Sequence, residues 1–289
     1  MSDITLINDS EQSSLVTNGL AKNGEMYLKK AGSTDAGAIF VYDSGSWRTF
    51  ANEYSAGFSN TYSVDFDGSN DYVDVNSNFQ STFNTGFSFS LWGKLSSTGD
   101  TQGLLGAENS TYTDRIACFV SSSNRVSFYY TSNNQGVSTI SDTSGTTLTD
   151  WFHVIATVEQ SGSNVVTTLY VNGSQKATNS AASTMANFGT TTTPFNLFLG
   201  GRNYNGSLQL PLNGFMDEVS IFNSTLSSSD ITSIYNSGVP NDISSLSPVS
   251  WWRMGDNDNG TGTTVTDQGS GGNNGTLTNG PTFSTDIPS

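Results

Sequence analysis

The chain has 289 residues, with 25 acidic and 10 basic side chains and a formal net charge of −15. This length allows one large domain with a real core, whereas this charge repels phosphate backbones and anionic lipid surfaces, so we expect no nucleic-acid binding. Only 12% of the residues are charged. We expect the rest of the polar surface to consist mostly of Ser, Thr, Asn and Gly, which is typical of an all-β protein.

Residues 1–58 differ in sequence pattern from the rest of the chain. The stretch GEMYLKKAGSTDAGAIFVYDSGSWRTFANE predicts two or three short strands, too few to bury a core alone. We therefore expect a small β-rich segment for attachment or oligomerisation. The first residues, MSDITLINDSEQ, lack the basic and apolar regions of a signal peptide, so we expect no export by the usual leader. The chain also has no apolar run of the roughly 18 residues that would predict membrane insertion.

Apolar and polar residues alternate in several short segments along the chain, which indicates half-buried strands. In FSFSLWGKL, residues 87–95, Phe87, Phe89 and Leu91 are predicted to face inward. The Asn-Gly pair at 172–173 predicts a tight hairpin. One short helix is predicted in TLSSSDITSIYNSG, because Ser227 followed by Asp230 is a helix-start pattern and Gly238 is a stop. The predicted fold class is all-β.

Six segments occur in the order found in one known family: FDGSNDYVDV (66–75), FSFSLWGKL (87–95), DWFHVIATV (150–158), TTLYVNGSQKA (167–177), FLGGR (198–202) and LNGFMDEVSIFNSTLSSSDI (212–231). On these segments, residues 62 to about 236 resemble the laminin-G-like jelly roll of the concanavalin A-like superfamily. The resemblance implies an antiparallel β-sandwich over residues 59–289.

One part of the resemblance is out of order. In this family a segment similar to WRMGDNDNGTGTTVTDQGSGGNNGTLTNGPTFSTD precedes the FDGSNDYV strand, whereas here it follows the predicted helix. The domain therefore resembles a circularly permuted jelly roll in which residues 249–283 supply the first strands, an order that compact domains tolerate. The alternative is a domain swap into a neighbouring copy. Closure within the chain predicts that apolar side chains of the segment pack against the strand of Val64 and Phe66: Trp251 or Trp252, Met254 and Phe283.

The sequence does not predict an enzyme. Glycoside hydrolases use two carboxylates across the scissile bond, and the chain lacks the Glu-x-Asp-x-x-Glu run that would present them. Asp217 and Glu218 are adjacent on a predicted strand and should point to opposite faces. The only histidine, His153, has no nucleophile elbow beside it and is interpreted as a structural strand residue.

Three aspartates are candidate metal ligands: Asp71, Asp217 and Asp267. Asp217 is predicted to share an inward strand face with Val219 and Ile221, where a carboxylate needs a donor or a cation. Asp71 and Asp267 lie at glycine-containing turns. Laminin-G-like relatives often bind Ca²⁺ at the sandwich rim, so the resemblance implies a structural Ca²⁺ ion. The alternative is that the two turn aspartates bond their own backbone.

A sugar-binding surface needs aromatic rings beside polar groups. The candidate ligand-binding residues are Tyr112, Tyr129 and Tyr204, which are outward or loop-borne, and Arg202 in RNYNGS. Trp92 is a further outward aromatic residue. The alternative is that these are ordinary isolated surface aromatics.

A β-rich leader containing GAIFVYDSGSWRTF ahead of a laminin-G-like sandwich resembles structural proteins of marine bacteriophages. The resemblance implies a non-enzymatic protein of the virion surface, a capsid decoration or tail fibre made in the host cytoplasm. Its partners would be other virion proteins, other copies of itself and host or environmental glycans. A single cysteine and no disulfide fit that compartment. The alternative is a bacterial surface or secreted carbohydrate-binding adhesin.

Overall fold

The computed structural model describes residues 58–109, 111–132, 135–142, 145–185, 188 and 195–289, the backbone alone for residues 135–140. Before residue 58 it describes Ser10 and the backbone of four strands: β1 (Ile4–Ile7), β2 (Met26–Lys29), β3 (Ile39–Asp43) and β4 (Ser46–Thr49). These four strands form one sheet in chain order, with β1 parallel to β2. The chain divides into two units, Met1–Ser59 and Asn60–Ser289. The attachment role of the first segment stays a prediction.

The described residues of the second unit contain two short α-helices, α1 (Gln80–Phe83) and α2 (Ser228–Tyr235), and short 3₁₀ turns at Asn236–Gly238 and Ser244–Leu246. Its strands are β5 (Ser63–Asp67), β6 (Tyr72–Asp74), β7 (Phe87–Leu95), β8 (Gln102–Glu108), β9 (Arg115–Val120), β10 (Val126–Ser132), β11 (Gln135–Ser141), β12 (Phe152–Ser161), β13 (Asn164–Val171), β14 (Ser174–Ala182), β15 (Phe198–Leu199), β16 (Arg202–Tyr204), β17 (Ser207–Gln209), β18 (Asn213–Phe222), β19 (Ser250–Trp252), β20 (Thr264–Val265), β21 (Gly275–Thr278) and β22 (Thr282–Ser284).

These strands form a sandwich of two largely antiparallel sheets. One sheet follows the order β11-β10-β9-β8-β15-β6-β21-β20, with β16 beside β8 and β17 beside β16. The other follows β14-β13-β12-β7-β18-β5-β22, with β19 beside β18. The all-β sandwich predicted from the sequence is confirmed. No helix in the described part of the chain is both long and apolar enough to cross a membrane.

Alternating apolar side chains of the two sheets meet in the core. Phe89 of β7 lies against Phe128 of β10, with ring centroids 5.2 Å apart, and Phe87 lies against Tyr130 at 5.3 Å. All four rings are at most 1% exposed. Aromatic rings in such offset arrangements add stability beyond their buried area. The inward positions predicted for β7 and β10 are confirmed, whereas the predicted outer side of β7 is buried as well.

Two predicted local structures form as the sequence indicates. Asn172 and Gly173 both have positive φ, 50° and 70°, which the tight turn between β13 and β14 requires. Helix α2 begins at a capping box in which the Ser227 side chain accepts from the Asp230 backbone N–H and the Asp230 side chain accepts from the Ser227 N–H. The buried side chains Ile231 and Ile234 hold the helix against the domain.

The C-terminal segment adds strands to both sheets of its own chain. Strand β21 pairs with β6 in one sheet, and β22 pairs with β5 in the other, with Phe283 opposite Val64. Trp252 and Met254 are fully buried in the common core. Residues 249–283 therefore complete the sandwich as closure within one chain predicts. That this order is a circular permutation of the family stays a prediction.

A β-bulge in β18 corrects the prediction for Asp217. Asp217 lies opposite Trp92 and Ser220 opposite Ser90, so two residues of β18 face one residue of β7. The extra residue shifts the alternation by one position. Val219 and Ile221 consequently belong to the core, together with Met216. Asp217 does not share their face, because the prediction assumed an unbroken strand.

Candidate ligand-binding site

The four predicted ligand-binding residues lie close together on the outer face of the sheet that contains β8, β9, β10 and β16. In β9, Ile116 and Cys118 face the core, so Arg115 and Ala117 project outward. Strand pairing then brings Arg115 opposite Glu108 of β8, and Glu108 beside Tyr204 of β16. We call the outward group Tyr112, Arg115, Tyr129, Arg202 and Tyr204 the arginine–tyrosine face.

The floor beneath this face is made of small residues. Gly106 of β8 lies opposite Ala117 of β9. A Cβ atom added to Gly106 would lie 3.1 Å from Cγ of Arg202 and 3.3 Å from Cβ of Ala117. The methylene stem of Arg202 therefore crosses the sheet directly over Gly106. A glycine at this position leaves room for the arginine.

Glu108 lies at the centre, with its side chain fully buried. Arg115 Nε is 3.0 Å from Glu108 Oε1, and Arg202 Nη1 is 3.0 Å from Oε2. Burial raises the pKa of Glu108, while the two guanidinium groups act in the opposite direction. In neither of these two contacts does the N–H group point at the carboxylate oxygen with hydrogen-bond geometry. One buried carboxylate thus holds two guanidinium groups by charge.

Tyrosine rings frame the two guanidinium groups. The Arg115 guanidinium carbon lies 5.2 Å from the ring centroid of Tyr112 and 5.0 Å from that of Tyr129, and the Arg202 carbon lies 6.0 Å from that of Tyr204. These are cation–π distances. The rings of Tyr112 and Tyr204 are 5.5 Å apart, and Tyr112 is 50% exposed. The face therefore presents aromatic surface and charged donors side by side to solvent.

The loop that carries Tyr112 is held by Asn109, which is buried. The Asn109 side chain donates to Thr113 Oγ1 at 2.7 Å and to Asp114 Oδ2 at 3.2 Å, and it accepts from the Thr113 backbone N–H at 2.9 Å. Side chains that bond nearby backbone in this way stabilise turns. These hydrogen bonds consequently stabilise the loop that carries the exposed ring of Tyr112.

Sequence reasoning missed Glu108 and Arg115, because only long-range strand pairing brings them beside Arg202. The prediction that Trp92 is an outward aromatic residue is corrected by the structure. Trp92 is 3% exposed, since Tyr235 of α2 stacks over it with ring centroids 6.0 Å apart. Trp92 is not available as a ligand platform.

His153 is buried beside Ser90, whose Oγ lies 2.7 Å from His153 Nε2. Burial lowers the pKa of His153 to about 3. The ring packs against Trp92, with centroids 4.7 Å apart. A neutral ring at 1% exposure has a packing role in this sheet.

A second buried carboxylate group surrounds the bulge in β18; we call Asp217, Glu218, Trp251, Arg253 and Asp256 the Glu218 cluster. Trp251 Nε1 donates to Glu218 Oε2 at 2.5 Å, Arg253 Nε donates to Oε1 at 3.0 Å, and Arg253 Nη2 donates to Asp256 at 2.9 Å. The prediction that Asp217 and Glu218 face opposite sides was wrong, because the bulge places both carboxylates away from the core residues. Burial raises the pKa of Glu218 to about 7 and that of Asp217 well above its usual range.

The three candidate metal ligands are held by hydrogen-bond donors. Asp267 accepts the backbone N–H groups of Trp251, Gly269 and Asn273 at 2.7 to 2.8 Å. Asp71 accepts the Asp67 N–H at 3.1 Å. Asp217 accepts from Asn60 Nδ2 and from the Glu218 N–H, both at 2.8 Å.

Within the residues that the structure describes, no three His, Cys, Asp or Glu side chains group together as a metal site. These aspartates do not fit a Ca²⁺ donor set, and the Ca²⁺ ion stays a prediction without structural support.

A protein-family comparison matches residues 67–232, more than half of the chain, to the laminin G group of the concanavalin A-like lectin/glucanases superfamily. The chain belongs to this family. The laminin-G-like resemblance drawn from the six sequence segments is thereby confirmed. No curated protein sequence matches the chain.

Solved structures share this laminin-G-like fold at low sequence identity. A candidate carbohydrate-binding protein from Bacteroides ovatus is 17% identical, with a TM-score of 0.57, covering 92% of this chain and 71% of its own. The sialidase CBM40 of Ruminococcus gnavus bound to α2,3-sialyllactose is 15% identical, with a TM-score of 0.50, covering 62% of this chain and 100% of its own. A NanB sialidase from Streptococcus pneumoniae is also 15% identical with a TM-score of 0.50, covering 60% of this chain and 27% of its own.

Proposed function

We propose that this laminin-G-like domain is a glycan-binding module whose ligand lies on the arginine–tyrosine face. The observation that carries the proposal is the group of three tyrosine rings beside two guanidinium groups on the outside of a rigid sheet. Tyrosine offers flat apolar area together with a hydroxyl group, and arginine offers several donors in fixed geometry. Both are suited to a ring that has apolar faces and a hydroxylated edge.

The relatives of known structure support this choice. One is described as a candidate carbohydrate-binding protein, and another was solved with a bound sialylated sugar. The position of four of its five residues, Arg115, Tyr129, Arg202 and Tyr204, on strands also supports it, since sites built on strands hold their side chains more precisely than sites on loops.

A glycan array probed with the full chain tests the proposal, with calorimetry on each hit. Tyr204→Ala removes a ring from the face without touching the core, and we expect it to weaken binding about tenfold. Tyr170→Ala is the matched control, because Tyr170 is a partly exposed tyrosine on β13 of the other sheet. Equal affinities of the two variants would contradict the placement of the site.

We further propose that the module acts without catalysis on the surface of a bacteriophage virion, as a capsid decoration or tail fibre. In this role residues 1–58 attach the protein to other virion proteins, and several copies assemble. The sequence resemblance to marine phage structural proteins supports this role, which implies synthesis in the host cytoplasm. A bacterial carbohydrate-binding adhesin is the alternative.

Mass spectrometry of purified virions tests the location, and failure to find the chain on particles contradicts it. Release of new reducing ends from polysaccharides incubated with the protein would contradict the non-enzymatic role.

A further inference from the structure

We infer that the arginine–tyrosine face selects glycans that carry an anionic group, a carboxylate or a sulfate, and that Arg115 and Arg202 bind this group. The inference rests on the proposed glycan-binding function and names its ligand class. It follows from how the few positive charges of the domain are distributed.

Residues 60–289 contain only six lysines and arginines: Lys94, Arg115, Arg125, Lys176, Arg202 and Arg253. Lys94 is paired with Asp286, and Arg253 is paired with both Glu218 and Asp256. Arg115 and Arg202 differ, because they share the single carboxylate of Glu108. The two guanidinium groups and Glu108 together therefore carry one positive charge in excess, in a chain whose net charge is −15; the neighbouring Asp114 accepts from Asn109. An anionic ligand would balance this local excess.

Both arginines keep donors that are not directed at Glu108. A guanidinium group has five N–H donors. Arg115 turns Nε toward Glu108 and Arg202 turns Nη1 toward it, which leaves the two terminal nitrogens of Arg115 and Nη2 of Arg202. The Arg115 and Arg202 side chains are 20% and 21% exposed, so a ligand can reach them. Two such donors match the planar oxygen pair of a carboxylate or the oxygens of a sulfate.

The surroundings fix the arginines before a ligand arrives. Glu108 is fully buried and reduces the repulsion between the two guanidinium groups. Tyr112 and Tyr129 flank Arg115, and the stem of Arg202 lies over Gly106. Held groups lose less conformational freedom on binding, which improves affinity. Glu108 is accordingly a positioning residue and is not itself a ligand contact.

Calorimetry on the full chain with matched sugar pairs tests the inference: 3′-sialyllactose against lactose, oligogalacturonate against its methyl ester, and galactose 6-sulfate against galactose. We expect at least one acidic member to bind about tenfold more tightly than its neutral counterpart, and its affinity to fall as NaCl rises because exposed charges are screened. The three pairs separate carboxylate from sulfate recognition.

The substitutions Arg115→Lys and Arg202→Lys keep the positive charge but remove the planar guanidinium group with its paired N–H donors. Each should weaken binding of the acidic sugar about tenfold and weaken binding of the matched neutral sugar by a smaller factor. Arg125→Lys is the control, because Arg125 is exposed and contributes nothing to the face. Thermal unfolding of each variant checks that the fold is intact.

The possible failures are distinguishable. If acidic and neutral sugars bind alike and Tyr204→Ala weakens both, the glycan-binding function stands and the anionic selectivity is wrong. Unchanged acidic binding in both arginine variants also overturns the selectivity. If no glycan binds, the proposed function and the inference fail together.

Discussion

The arginine–tyrosine face and the Glu218 cluster are built from the same kinds of residue and behave differently. Each has a buried glutamate, an arginine paired with it and an aromatic ring beside the guanidinium; in the cluster, the Arg253 guanidinium lies 5.3 Å from the Trp251 ring. On the face, two arginines share one carboxylate. In the cluster, one arginine is paired with two carboxylates, and a third carboxylate, that of Asp217, lies beside them.

Charge balance and exposure decide the role of each group. In the cluster the remaining carboxylate oxygens accept from the protein itself, for example Asp256 from the backbone N–H groups of Thr61 and Tyr62. The cluster thus ties the C-terminal segment to the start of β5. The face has an excess of hydrogen-bond donors and an exposed tyrosine, so it is suited to binding a ligand.

The largest effect that we expect is on stability, from Arg253→Ala in the cluster. Removing the arginine leaves Glu218 and Asp256 buried without their cation, and breaking such a pair costs about 3 kcal/mol of the free energy of unfolding. Chemical denaturation measures it. Arg125→Ala, which removes an exposed arginine, should change stability by less than about 0.5 kcal/mol. Similar losses of unfolding free energy in the two variants would contradict the role of Arg253 in neutralising the buried carboxylates of the cluster.

The cluster should also make stability depend on pH. Burial raises the pKa of Glu218 to about 7 from its usual 4.5. The folded state therefore holds this proton more tightly than the unfolded state, so the contribution of Glu218 to the free energy of unfolding is highest below pH 4.5 and is lost as pH rises through 7. Each unit of pKa shift corresponds to about 1.4 kcal/mol.

Urea denaturation at pH 5 and pH 8 should show a larger loss in the wild type than in Glu218→Gln, which cannot ionise. The pKa of His153, lowered to about 3, gives the opposite trend, with stability lost as pH falls below 6.5. Because it does so in both proteins, it cancels in the difference. Equal losses of unfolding free energy in the wild type and in Glu218→Gln would mean that burial does not raise the pKa of Glu218.

A smaller effect is expected on the face, from Gly106→Ala. The added Cβ atom lies 3.0 Å from the Ile116 carbonyl oxygen and 3.1 Å from Cγ of Arg202, so both the neighbouring backbone and the arginine stem must shift by a few tenths of an ångström. We expect acidic-sugar affinity to fall several-fold and the free energy of unfolding to fall by about 1 kcal/mol. Titration of the variant beside a thermal melt separates the two. An unchanged affinity would show that Arg202 does not contact the ligand in this position.

The smallest effect is expected from Ca²⁺. Because Asp71, Asp217 and Asp267 accept from protein donors, adding Ca²⁺ or EDTA should leave the melting temperature unchanged. A stabilisation by Ca²⁺ that Asp267→Ala removes would restore the metal site implied by the family resemblance.

Sequence reasoning reached the fold because local patterns determine it. The inward positions of β7, the Asn172–Gly173 turn and the Ser227 cap each depend on neighbouring residues, and each forms as predicted. Pairing of residues 249–283 with β5 and β6 followed from the family pattern.

The site was only partly predictable. Tyr112, Tyr129, Tyr204 and Arg202 were identified by residue type and expected exposure, but Glu108 and Arg115 joined them through the pairing of β8 with β9 and β16. The bulge at Glu218 has no clear local signal: the residue is a glutamate with a φ of 46°, a backbone conformation that usually favours glycine or asparagine.

The most direct test of the central claim is calorimetric titration of the wild type and Arg202→Lys with an acidic sugar and its matched neutral form. We expect about a tenfold preference for the acidic sugar in the wild type and its loss in the variant, with a smaller change in neutral binding. Equal binding of both sugars by the wild type, or a preference that survives in the variant, would contradict it.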